Sequence, residues 1–190
     1  MRILVVGSNS LATSLASRFR KAGHMAATHQ NLEDIAGLRT IALGAQVVFL
    51  VVPFDQCLNL PHRVFLARMV ADATDYFPTA ETDVPAQDQS PSELLAAHLH
   101  GAEFVRIVNA VSLLSMSEQG PVGGPVPRVS VPIAGEHLRA KAMVSGLIAD
   151  LGLDAVDLGS LVDARTWRPE GVLRSLSSRG EDPRIRISEV

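Results

Sequence analysis

A single cysteine, Cys57, excludes an internal disulfide and any cysteine-based zinc cluster. Aromatic residues make up only 4% of the chain, which leaves little to stack on nucleic-acid bases. Basic charge is not in excess either. Lys and Arg number 17 against 20 Asp and Glu, a formal charge of −3, so the sequence implies no phosphate-neutralising surface. The longest apolar run, Val47 to Phe54, is far short of the roughly 20 residues that a membrane-spanning helix needs. At the amino end only Ile3 to Val6 is apolar, too short for a signal peptide. These absences lead to the expectation of a soluble cytoplasmic protein with no nucleic-acid and no membrane partner. What the chain does have is core: 47% hydrophobic against 19% charged over 190 residues, enough for one domain and too much for extensive disorder.

The clearest local pattern lies in the first thirty residues. Arg2 to Val6 is a short β-branched run that stops at Gly7, as a buried parallel strand does. Leu11, Leu15 and Phe19 then recur at helical spacing, with Ser8, Asn9 and Ser10 as N-cap candidates. Arg18, Arg20 and Lys21 fall in the last turn, where the helix dipole favours cations, and Gly23 provides the left-handed stop. Met25 to Thr28 follows as a second strand. The alternation continues with a helix over Leu32 to Leu43 and a strand over Val47 to Val52, apolar on both faces and ended by Pro53. A helix is expected from Phe54 to Leu66, kinked at Pro61, and strands over Met69 to Ala73 and Phe104 to Val108. Between those strands Ser90-Pro91-Ser92-Glu93 reads as a capping box opening a helix to about His100. After a Gly/Pro-rich stretch from Gln119 to Pro127 come a strand at Val129 to Ala134, a helix from His137 to Leu151 and a short strand at Ala155 to Leu158. The order predicts a Rossmann-like, doubly wound α/β fold with a mainly parallel sheet and helices on both faces. A single domain is expected over residues 1–174, followed by a polar tail over 175–190.

Open α/β sheets bind ligands at the carboxyl ends of their strands, where the strand order reverses. The first such turn, Gly7-Ser8-Asn9-Ser10-Leu11-Ala12, occupies the place of the dinucleotide fingerprint GxGxxG. Gly7 permits the tight turn, and Ala12 is small enough for close helix packing. Asn9 replaces the second glycine; it tolerates a left-handed backbone better than most residues, and its amide either donates to a phosphate or fills the phosphate's place. The helix start keeps its free N–H groups, so the physics of anion binding survives. At the end of the second strand stand Thr28-His29-Gln30-Asn31, with neither the carboxylate of NAD binders nor the arginine of NADP binders. With no carboxylate to repel a 2′-phosphate, the balance tips to NADP. His29, Gln30 and Asn31 are then the residues left to hold the adenosine ribose, though a plain surface role for His29 is weighed as the commoner one.

The chain as a whole resembles the NADP oxidoreductases of the deazaflavin (coenzyme F420)-dependent NADP reductase family, from about Met1 to Pro169. The residues that carry the resemblance are Ala22-Gly23-His24, Gly44 to Pro53, Asp72-Ala73-Thr74-Asp75-Tyr76-Phe77-Pro78, Val105 to Asn109, Ile133-Ala134-Gly135-Glu136 and Leu151 to Arg165. The resemblance implies NADPH as cofactor and a hydride passed to or from a second, flat redox partner such as a deazaflavin or flavin. It implies that Gly7, Ser8, Asn9, Ser10 and Leu11 border the pyrophosphate and that Val52, Pro53 and Phe54 border the nicotinamide side. It places Thr74 and Asp75 along the cofactor, and Asn109 and Ala134-Gly135 near nicotinamide and acceptor. The chain departs from the family pattern at Asn9 and Ala12, at Gln30-Asn31 in place of a Ser-Arg clamp, at Asp75 and at Arg106.

Hydride transfer asks little acid–base chemistry of the protein, and no catalytic triad or GxSxG elbow is present. His98 and His100, two apart on a helix, point to different faces and do not chelate a metal together. His137 is expected to face solvent, Cys57 to be a small core filler, and Asp72 and Asp75 to be polar turn residues. Trp167, beside Arg165 and Arg168, suits either a subunit contact or the sheet edge. The function expected is an NADPH-dependent oxidoreductase acting on a flavin, deazaflavin or small organic acceptor, with a homodimer as the expected assembly. The alternative is a catalytically silent binding or scaffold protein that has kept the sheet and lost the nucleotide.

Overall fold

The computed structural model describes residues 1–74, 89–107 and 130–166. Its strands are β1 (Arg2–Val6), β2 (Met25–His29), β3 (Val47–Leu50), β4 (Met69–Asp72), β5 (Glu103–Ile107), β6 (Ser130–Ala134) and β7 (Asp154–Asp157). The helices are α1 (Ser10–Lys21), α2 (Ile35–Gly44), α3 (Phe54–Cys57), α4 (Pro91–His98) and α5 (Leu138–Asp150), with a short 3-10 turn at Asp163–Thr166. All seven strands form one sheet in the order β2-β1-β3-β4-β5-β6-β7. The first five run parallel, β6 is antiparallel to β5, and β7 is parallel to β6. The chain leaves β1 for one side at β2 and returns to the other at β3, so the order reverses between β1 and β3. Crevices for ligands open at such reversals.

The β-branched runs seen in the sequence are the central strands. Every residue of β3 and β4 is buried, because each face of the sheet carries helices. On one face Leu11, Leu15 and Phe19 of α1 and Val144, Leu147 and Ile148 of α5 pack on Ile3, Val5, Phe49 and Val105. On the other, Leu38 of α2, Phe54 and Cys57 of α3 and Leu95 of α4 pack on Leu4, Val6, Val48 and Leu50. Each such large side chain contributes roughly 1.5–3 kcal/mol on full burial.

Local stops follow their predicted chemistry. Gly23 and Gly152 hold positive φ after α1 and α5. The capping box of α4 is complete: the Glu93 amide donates to Ser90 Oγ at 3.3 Å, and the Ser90 amide donates to Glu93 Oε2 at 2.7 Å. The helix expected from Phe54 to Leu66 is corrected to a single turn, α3. Beyond it the chain crosses in turns in which Leu60, Val64 and Phe65 are buried. Pro61 explains the correction, since it has no N–H to continue a helical ladder. The second helix starts at Ile35 rather than near Leu32, because Asp34 caps it by accepting from the Gly37 amide at 2.9 Å. Asp75, Tyr76, Phe77, Asn109, the stretch 119–127, Trp167 and the tail 175–190 lie outside the described residues.

Candidate functional site

The β1–α1 turn is pressed against the end of β3. Gly7 has φ +150°, and a Cβ there would collide with the Val51 carbonyl oxygen and crowd Ala12. Glycine at position 7 and a small residue at position 12 are therefore structural requirements of this turn, the two that the fingerprint's first and third glycines meet. Position 9 differs. Asn9 is the N-cap of α1 with φ −82° and ψ 172°, an extended backbone, so the expected tolerance of a left-handed conformation is not used. Its Oδ1 accepts from the Ala12 amide at 2.9 Å and its Nδ2 donates to the Val51 carbonyl at 3.3 Å. The carboxamide thus occupies one of the helix-start donors and ties the turn to β3. No hydrogen bond among the described residues takes up the amides of Ser10 and Leu11, which remain available to an anion.

A crevice of about 340 Å³ opens at this reversal of strand order. Seven of the sequence-predicted site residues line it: Gly7, Ser8 and Asn9 from the turn, Gln30 and Asn31 from the tip of β2, and Val52 and Pro53 beyond β3. Leu32, Glu33, Val51 and Gln56 complete its wall. A larger open groove of about 1110 Å³ runs along the outer side of α1 past Thr13, Ser14, Ser17, Arg18 and Lys21, and shares Ser8 and Asn9 with the crevice. Two unbonded amides at the helix start, beside a turn that Gly7 keeps pressed against β3, suit the pyrophosphate portion of a dinucleotide.

His29 is buried at the tip of β2, which corrects the surface role weighed for it. Its carbonyl accepts from the Gly7 amide at 3.0 Å, and its ring Nε2 donates to the Asn31 carbonyl at 2.7 Å. Asn31 Oδ1 accepts from the Glu33 amide at 3.0 Å, so the chain folds back on itself after β2. That fold brings Glu33 to the crevice wall, four residues beyond the strand's last residue. The tip therefore does carry a carboxylate, which in sequence lies two residues beyond the Thr28–Asn31 stretch where one is expected. An Asx-type turn led by Asn31 is the signal that would have found it.

Further along the carboxyl edge, Phe54 is buried at the start of α3, and Leu11 sends its side chain into the core while its amide stays at the helix start. Thr74, just past β4, is buried in a polar cluster. Asp72, fully buried rather than a turn residue, accepts from the Thr74 amide at 3.0 Å, Thr74 Oγ1 at 2.6 Å, Ser92 Oγ at 3.3 Å and Arg106 Nη1 at 3.0 Å. Arg106 Nη1 also donates to the Thr74 carbonyl at 2.8 Å, which joins the ends of β4 and β5 to the start of α4. Cys57 is buried beneath this cluster, its thiol 3.6 Å from the Val52 carbonyl. Burial first, then the charges of Asp72 and Asp55, push that thiol well above its ordinary range, against a smaller opposing pull from Arg106. It is a filler and not a nucleophile.

Gly135 lies elsewhere. Because β6 runs antiparallel, its carboxyl end points back along β5, and a Cβ on Gly135 would stand 2.6 Å from the Phe104 carbonyl oxygen. The structure packs it there and does not bring it to the crevice. His137 is exposed as the N-cap of α5. The rings of His98 and His100 both approach His62, at 4.4 and 5.8 Å, a proximity that sequence spacing did not show. His98 Nε2 donates to the Leu60 carbonyl at 2.8 Å and His62 Nδ1 to the His98 carbonyl at 3.0 Å, so these rings hold the turns after α3. Among the described residues no group of three suitable side chains could hold a metal ion, and no helix is long and apolar enough to cross a membrane.

No family model matches the sequence, and no curated protein matches it. Solved structures match by fold. A hypothetical protein from Sinorhizobium meliloti superposes with a TM-score of 0.68 at 22% identity, over 88% of this chain and 89% of that one. A protein from Arthrobacter sp. FB24, proposed to be an F420-dependent NADP reductase, gives 0.70 at 18% identity over 86% of each chain. An imine reductase variant from Myxococcus stipitatus in complex with NAD+ gives 0.57 at 12% identity, over 85% of this chain and 55% of that one. At these identities the likeness establishes the Rossmann-like α/β fold.

Proposed function

We propose that the chain is an oxidoreductase dependent on a nicotinamide dinucleotide, with Gly7 to Ala12 as its pyrophosphate subsite. The observation that carries this is the crevice at the β1/β3 reversal, where Gly7, Ser8 and Asn9 meet Gln30, Asn31, Val52 and Pro53. A bound nicotinamide supplies the hydride chemistry. The protein's own share is placement. The amides of Ser10 and Leu11 and the hydroxyls of Ser8 and Ser10 receive the negative charge, with α1's dipole behind them. Gln30 and Asn31 border the ribose end, with the buried His29 ring holding Asn31 in place, and the family resemblance implies NADPH there. Val52 and Pro53 line the side where the resemblance implies the nicotinamide, while Phe54 is buried in the core, and the Asp72–Arg106–Thr74 cluster joins the ends of β4 and β5. Two of the fold neighbours are described as a deazaflavin-dependent reductase and an imine reductase. They suggest a flavin or deazaflavin, or a small imine or carbonyl compound, as acceptor.

Titrating NADH and NADPH into the full chain, read by nicotinamide fluorescence and thermal shift, tests the assignment. Saturable binding of either is expected; no response at about 1 mM of both overturns it, since that concentration detects even a weak complex. One observation favours a second reading, a binding or scaffold protein that has lost its nucleotide: Asn9 Oδ1 already occupies the Ala12 amide. In that case Asn9→Gly with Asn31→Arg creates cofactor binding that the natural chain lacks.

A further inference from the structure

The crevice is nearly uncharged. Of the residues that line it, Glu33 alone carries a charge, and no Lys or Arg stands on its wall. The neighbouring cations, Arg18 and Lys21, belong to the outer groove of α1. Glu33 is exposed, and its carboxylate forms no ion pair among the described residues. Its place on the wall is set from within the fold. The buried His29 ring donates to the Asn31 carbonyl, the Asn31 carboxamide accepts from the Glu33 amide, and the Ile35 amide donates to the Glu33 carbonyl at 2.9 Å. This chain of bonds runs from the last residue of β2 to the first of α2.

We propose that Glu33 is the specificity-determining residue of the crevice and selects the dinucleotide whose adenosine ribose has a free 2′-hydroxyl over the one bearing a 2′-phosphate. The inference rests on the dinucleotide reading above and reverses the cofactor form that the resemblance implies. A carboxylate accepts hydrogen bonds from ribose hydroxyls, whereas a 2′-phosphate beside it meets a like charge with no cation to offset the repulsion. Gln30 and Asn31 replace the Ser-Arg clamp with neutral amides, which neither attract nor repel the phosphate. His29 acts through Asn31 as a positioning residue: it holds the loop and does not itself face the crevice as a lining residue.

Dissociation constants of NADH and NADPH, measured by fluorescence titration for the natural chain, Glu33→Gln and Glu33→Arg, test the assignment. The natural chain is expected to bind NADH about tenfold tighter than NADPH, with Glu33→Gln removing most of the difference and Glu33→Arg reversing it. The NADPH penalty is also expected to shrink between low salt and about 1 M salt, because screening acts on an exposed charge pair and not on shape. A natural chain that prefers NADPH, or a ratio that Glu33→Gln and salt leave unchanged while both cofactors bind, overturns the role of Glu33 and leaves the dinucleotide site standing. Binding of neither cofactor by the natural chain overturns both.

Discussion

Asn9 does two jobs with one carboxamide, capping α1 through Ala12 and tying the turn to Val51. Alanine removes both, and Asn9→Ala is expected to lower stability by about 1 kcal/mol in urea unfolding, the usual cost of a lost N-cap. Glycine preserves an acceptable cap, so Asn9→Gly is expected to lose only about a few tenths of a kcal/mol while clearing the rim of the crevice. Equal losses in the two variants would show that the cap is not what Asn9 contributes. Cys57 makes a different kind of statement. Its thiol is pushed above its ordinary value of 9.0 in the folded chain, chiefly by burial. A raised folded value means that the contribution is complete below that ordinary value. It declines at more alkaline pH, where the unfolded thiol ionises and the folded one does not. Unfolding free energy is therefore expected to fall between about pH 8 and about pH 10 more steeply in the natural chain than in Cys57→Ala.

Three elements, β4, β5 and α4, are joined at Asp72, which is fully buried and takes four donated hydrogen bonds. Removing only the carboxylate leaves Arg106 without its buried partner, so Asp72→Ala is expected to cost about 3–5 kcal/mol. Replacing both partners with apolar residues of similar volume, Asp72→Leu with Arg106→Met, is expected to cost clearly less; denaturant midpoints of the three proteins decide it. This joint also shows where sequence legibility ends. The strands could be read because a run such as Val47 to Val52 has no other way to bury both faces, and α1 because its apolar spacing, cap and Gly23 stop all agree. The helix after β3 was over-read: the apolar residues Leu60, Val64 and Phe65 are buried by turns, and spacing does not separate that from a kinked helix. Asp72 looked like a turn residue because its partners Ser92 and Arg106 are distant in the chain. Glu33 escaped for a related reason, since the turn that carries it to the crevice depends on a buried histidine and an asparagine side chain. Gly7, by contrast, was legible because a Cβ at that turn has nowhere to go.

Across the whole molecule, burial is graded from the middle of the sheet outward. β3 and β4 are buried throughout, whereas alternate residues of β2 are exposed and both ends of β7 are open to solvent. Amide hydrogen exchange is expected to be slowest in β1, β3 and β4 and fastest in β2 and β7; β7 as slow as β3 would contradict this gradient. The candidate crevice sits where the slow part of the molecule begins, between β1 and β3. Gly7 lies against the Val51 carbonyl and Asn9 is bonded to it, so turn and strand end form one piece. That side of the opening is therefore set by the fold, and an entering molecule meets a mould there and not a hinge. Little of the association energy is then spent on ordering the host, and the heat-capacity change on complex formation should follow the apolar area covered.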